Sequence, residues 1–146
     1  CGRRGCWEAY SSATALSQMT REKVNECRAQ LIPSLMVDEF NATGKVTART
    51  AFAAMKQGDA PARAVVNEYI SYLACGISNI INIFQPEILC IGGGICNEKD
   101  YLLKPLMELV LHEQYTRAGE NKTRVAIAEL GNDAGIIGAA CLGKQY

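Results

Sequence analysis

Glu87-Ile88-Leu89-Cys90-Ile91-Gly92-Gly93-Gly94 decides the fold class of this chain. Its first five residues are nearly all apolar, and so short and hydrophobic a run suits a strand buried on both faces. Pro86 closes what precedes it, and the three glycines turn the chain where the strand ends. Downstream, Pro105 to Glu113 reads as a helix with Leu106, Met107, Val110 and Leu111 inward, preceded by one turn around residues 101–103. Residues 116–123 read as a polar turn. Arg124 to Leu130 alternates, Val125 and Ile127 against Ala126 and Ala128, and reads as a second strand. Asp133 caps a last helix, Ala134 to Leu142, in which Gly135 and Gly138 allow close packing. The order strand, helix, strand, helix is a βαβα unit. It predicts an α/β fold with two parallel strands, near 87–92 and 124–130, joined by a right-handed crossover. Two strands make a poor sheet by themselves, so a strand edge and apolar surface are expected to lie open or to be hidden in a homo-oligomer.

The residues before this unit read as helices. Asp59 is a good N-cap, with Pro61 in the first turn of a helix running to about Phe84. Its inward stripe is Val66, Leu73, Ile77 and Phe84, with Tyr69 or Ile70 and Ile80 or Ile81 between them. Gly76 sits in the middle of this helix at a cost of about 1 kcal/mol against alanine, and allows close packing of a helix or sheet. Thr47 caps a helix from Ala48 to Gln57, which Gly58 stops. Residues 33–46 read as a loop with at most one helical turn. Trp7 to Met19 is helical, followed either by a second helix capped at Thr20 and running to about Leu31, or by one continuous helix. Pro33 ends either version.

Composition excludes several classes of function. The chain has 146 residues, 15 basic and 15 acidic, and its formal charge is zero. It therefore lacks the basic excess of a nucleic-acid or anionic-membrane surface. An apolar share of 49% is enough to build a core. Tyr69 to Pro86 carries no charge, but Ser71, Ser78, Asn79, Asn82 and Gln85 are expensive in hydrocarbon, so a buried helix is expected and not a membrane span. Seven cysteines is an odd count, with Cys75, Cys90, Cys96 and Cys141 scattered through apolar runs. Reduced thiols in a cytoplasmic protein are the simpler reading. Cys27 lies in a polar stretch and is expected near the surface.

Two motifs have chemical content. Cys1-Gly2-Arg3-Arg4-Gly5-Cys6-Trp7-Glu8 places two cysteines close together, with glycines that let the backbone bend. That spacing suits half of a tetrahedral zinc site, and equally a tight turn holding two small buried thiols. Gly92, Gly93 and Gly94 stand at the carboxyl end of a strand, where a ligand can approach backbone without a Cβ in the way. The run is neither a Walker loop nor a dinucleotide GxGxxG, and a ligand-free turn is the competing reading. His112, the only histidine, sits near a helix end, where it softens the dipole. Arg3 and Arg4 read as solvated surface.

The first of these motifs resembles the second half of the ROK family signature, Cys-x-Cys-Gly-x-x-Gly-Cys-x-Glu, with Cys1 at its second cysteine, Cys6 at its third and Glu8 at its glutamate. Ala9 to Leu16, Asn82 to Glu87, Ile91 to Ile95 and Leu130 to Gly135 are also similar to that family, in the right order and nearly end to end, and nearest to its Firmicute-type glucokinases. The resemblance implies the C-terminal part of an actin-like, ribonuclease-H-like sugar kinase domain. On that reading residues 1–146 are a single incomplete domain. The family's histidine, first cysteine, phosphate loop, catalytic aspartate and earlier strands would lie ahead of Cys1. The implied parent is a cytoplasmic, ATP-dependent glucokinase that transfers the γ-phosphoryl group of Mg²⁺-ATP to the 6-hydroxyl of glucose. Glu8 would hold sugar hydroxyls, and Gly92, Gly93 and Gly94 would lie on the adenosine side. Residues 130–135 would approach the same cleft. Cys1 and Cys6 would supply part of a structural Zn²⁺ site, incomplete here, and the chain alone would be inactive. The alternative that the resemblance allows is a sugar-responsive repressor, with a helix-turn-helix in place of the phosphate loop.

Overall fold

The computed structural model describes residues 2–115 and 122–142. Cys1 and most of the expected polar turn at 116–123 lie outside the described residues.

The N-terminal helical stretch breaks at Ser12, not at Thr20. Helix α1 is Glu8–Ser11 and α2 is Ala13–Gln30. Between them Ser12 is extended, and its hydroxyl accepts the N–H of Ala15 at 3.1 Å. Thr20 is fully buried inside α2, and its hydroxyl donates to the Leu16 carbonyl at 2.7 Å. That bond to the preceding turn satisfies a buried threonine without ending the helix. Cys27 is buried, contrary to expectation. Its sequence neighbours are polar because they face water, whereas Leu16, Thr20, Val24 and Cys27 recur at helical spacing and form the inward stripe.

Residues 33–46, expected as loop, contain helix α3, Leu35–Thr43. Ser34 caps it by accepting the Met36 N–H, and Gly44 ends it at a φ of 68°. Helix α4, Ala48–Lys56, starts as expected at Thr47, and Thr50 closes a reciprocal capping box by accepting the Thr47 N–H. Helix α5, Ala60–Phe84, carries Pro61 in its first turn and packs against α1, α2 and α4. Asp59 joins two helix starts. One carboxylate oxygen accepts the Ala62 N–H at 2.8 Å, and the other accepts the Ser34 hydroxyl at 2.8 Å together with the Leu35 N–H. Tyr69, Ile70 and Ile77 are buried in the core, while Phe84, expected on the same stripe, is 73% exposed.

After Pro86 come β1, Ile88–Ile91; α6, Asp100–Glu113; β2, Arg124–Ile127; and α7, Ala134–Leu142. The two strands are parallel, with Ile88 opposite Arg124 and Ile91 opposite Ile127. Strand β1 is not buried on both faces. Leu89 and Ile91 pack toward the core, while Ile88 is 48% exposed and Cys90 is exposed. Among the described residues only β2 flanks this strand, and nothing covers its outer face. Helix α6 starts five residues before Pro105, which lies inside it and gives up one helical N–H. Its inward row is Leu102, Leu106 and Val110, whereas Leu111 is exposed. The close packing expected of α7 is absent. None of its residues is buried, and a Cβ on Gly135 or Gly138 would meet nothing within 4 Å. No helix among the described residues is long and apolar enough to cross a membrane.

Candidate functional site

Glu8 is the first residue of α1, where the helix dipole favours a carboxylate, and it is exposed. Helix α1 is fastened to α5. The Tyr69 hydroxyl donates to the Ser11 carbonyl at 2.8 Å, the Trp7 indole N–H donates to the Tyr72 carbonyl at 2.9 Å, and the rings of Tyr10 and Tyr72 lie 5.1 Å apart. Burial pushes the Tyr69 phenol up to about 12, with a lesser push from the Cys96 thiol.

The glycine run leaves the end of β1. Gly93 has a φ of 94°, a conformation that side chains rarely adopt. Gly92 and Gly94 have no such demand, and at all three positions the space a Cβ would take is open. The run passes into a 3₁₀ turn, Gly94–Glu98, that is held from behind. The Cys96 thiol donates to the Ile91 carbonyl at 3.2 Å, and Glu98, nearly buried, pairs with Lys56 of α4 at 2.6 Å. Lys56 also lies over the ring of Tyr101, 4.8 Å from its centre.

These two pieces line one cleft. It has a volume of about 340 Å³, and Trp7, Glu8, Ser11, Gly92, Gly93 and Gly94 line it together with Tyr69 and Leu73. Residues 8 and 92–94, far apart in sequence, thus share one opening of a size that takes a small molecule. A neighbouring hollow of about 360 Å³ shares Gly94 and Ile95 with it and adds Thr47, Arg49 and Glu98. Of the segment from Leu130 to Gly135, expected at this cleft, none of the side chains described lines it. Trp7, Tyr69 and Arg49 carry no motif that marks them as site residues, and the contacts of the first two join residues 65 and 58 positions apart.

The zinc expectation finds no complete donor set. Cys6 carries a free, exposed thiol, Cys1 is outside the described residues, and the described residues hold no group of three histidine, cysteine, aspartate or glutamate side chains. A closed structural zinc site takes four donors, of which only Cys1 and Cys6 are expected here, so the described residues hold no complete site. Cys27, Cys75, Cys90, Cys96 and Cys141 also carry free thiols.

All of residues 1–146 match the ROK family. A glucokinase of Halalkalibacterium halodurans is 36% identical over 145 residues, covering 99% of this chain and 42% of that protein. The xylose repressor of Bacillus subtilis is 26% identical over 142 residues, covering 97% of this chain and 32% of the repressor. The crystal structure of a ROK family glucokinase from Streptomyces griseus, in complex with glucose and AMPPNP, superposes over 100% of this chain and 46% of its own, with a TM-score of 0.81 and 26% identity. The chain thus spans less than half the length of the proteins it matches. Its helix-rich α/β architecture with two parallel strands is that of the actin-like ROK sugar kinases, and the chain belongs to the ROK family.

Proposed function

We propose that this chain is the C-terminal portion, one incomplete domain, of an ATP-dependent glucokinase. The observation that carries the reading is the shared cleft, which Glu8 lines together with Gly92, Gly93 and Gly94. Glu8 is the sugar-binding residue. A carboxylate accepts two hydrogen bonds at once, so two neighbouring hydroxyls of one ring fix the sugar's orientation. Gly92, Gly93 and Gly94 admit the adenosine side of Mg²⁺-ATP against the backbone. With both substrates in one opening, the γ-phosphoryl group passes to the 6-hydroxyl of glucose, and positioning and charge stabilisation supply most of the rate. The aspartate that takes the hydroxyl proton lies outside these residues, so residues 1–146 alone do not turn over. Cys1 and Cys6 are offered as two donors of a structural zinc that shapes the loop before Glu8 and takes no part in the transfer. The protein works in the cytoplasm, and its open sheet edge is covered in the intact protein or by a second copy.

The second reading is a sugar-responsive repressor, which the similarity to the xylose repressor favours. A coupled assay with glucose and ATP separates the two readings when run on the intact protein beside residues 1–146. Turnover in the intact protein alone is the expected result. Hexose binding without turnover supports the repressor. Turnover in residues 1–146 shows the base to be misplaced.

A further inference from the structure

Glu8 stands on a helix of four residues, too short to hold itself together in water. Its place in the cleft is therefore set by what α1 is fastened to, and the outermost fastening depends on a residue with no side chain. A Cβ added at Gly76 would lie 1.9 Å from Cε2 of Trp7 and 2.3 Å from its Nε1. The indole thus fills the volume that any other residue at 76 would occupy. Its N–H reaches the Tyr72 carbonyl, one turn back along α5, because the helix surface is bare at that point. Glycine inside a helix is unfavourable by itself, so position 76 carries a local penalty that the seating of Trp7 explains.

We infer that Trp7 and Gly76 form a seat and plug that positions Glu8, and through it sets the affinity for the sugar. The second half of this inference rests on the sugar reading of Glu8, and the test separates the two halves. In the intact protein, Gly76→Ala, Trp7→Ala and the double variant are compared by hydrogen exchange of the α1 amides, by calorimetric titration with glucose and with an ATP analogue, and by thermal melting. Gly76→Ala is expected to speed exchange at residues 8–11 and to weaken glucose binding by about tenfold, with nucleotide affinity unchanged. With Trp7 already replaced, the same substitution has no further effect on exchange or glucose, and the sign of its effect on Tm reverses, because alanine then meets no clash and outranks glycine in a helix. A Gly76→Ala effect on α1 that is equal with and without the indole, or absent in both, overturns the inference. If the unmodified protein binds no hexose while α1 exchange responds as expected, the sugar reading of Glu8 fails and the positioning of Glu8 stands.

Discussion

The two walls of the cleft come from unlike halves of the molecule. The wall bearing Glu8 is backed by α2, α4 and α5, where Leu16, Phe52, Tyr69 and Ile77 are buried to within a few per cent. The wall bearing the glycines hangs from β1, whose outer face is open among the described residues, and α7 beyond it has Ile136 73% exposed and Leu142 68% exposed. Helices α2 to α5 each start on a side-chain cap and share one buried core, whereas α6 starts without a side-chain cap and α7 buries none of its residues. The stability of the sheet half should therefore depend on further protein more than that of the helical half.

Substitutions sharpen that contrast. Phe52→Ala, deep in the helical half, should have the largest effect, a loss of about 3–5 kcal/mol in a denaturant titration. Asp59→Ala should follow, at about 2–3 kcal/mol, because one carboxylate serves the starts of both α3 and α5. A pH titration probes the joint between α1 and α5. The Tyr69 phenol ordinarily titrates near 10 and is pushed up to about 12 in the fold. A raised folded value means that the stabilisation is complete below about pH 10 and is lost as pH rises through about 12. The loss is on the order of 2 kcal/mol, and Tyr69→Phe should flatten that limb of the profile. Ile136→Ser on α7 should change the stability of residues 1–146 by no more than about 0.5 kcal/mol. A clear loss from the same change in the intact protein would show that α7 is covered there, and no loss in either would remove the asymmetry between the halves.

What was legible in the sequence follows the same division. Helices α4 and α5 were readable because their signals are local: Thr47 and Asp59 as caps, Pro61 in the first turn, Gly58 as a stop. The parallel pair β1 and β2 was readable from the order of elements. Helix α3 has local signals, Ser34 as a cap and Gly44 as a stop, but its mixed polar residues bury only Met36 and so show no clear stripe, and the bond from Ser34 to Asp59, 25 residues away, lies outside any short window. The polar neighbours of Cys27 suggest the surface, but its i−3 and i−7 partners, Val24 and Thr20, place it on the buried stripe of α2. The burial expected of β1 and α7 reflected their apolar composition, which records a need for cover without saying where the cover lies. For the site, Glu8 and Gly92 to Gly94 could be named from motifs, but that they line one cleft, and that Trp7 and Tyr69 hold one wall in place, depends on contacts that only the fold creates.

The central claim is that Glu8 presents a sugar-binding carboxylate in a cleft shared with the nucleotide. It is tested most directly by calorimetric titration of the intact protein with glucose, comparing the unmodified form with Glu8→Gln, each with and without an ATP analogue. Loss of hydrogen bonds to a charged group predicts a 10- to 100-fold weaker affinity for glucose, about 1.5–3 kcal/mol, with nucleotide affinity unchanged. An unchanged glucose affinity in Glu8→Gln would contradict the account.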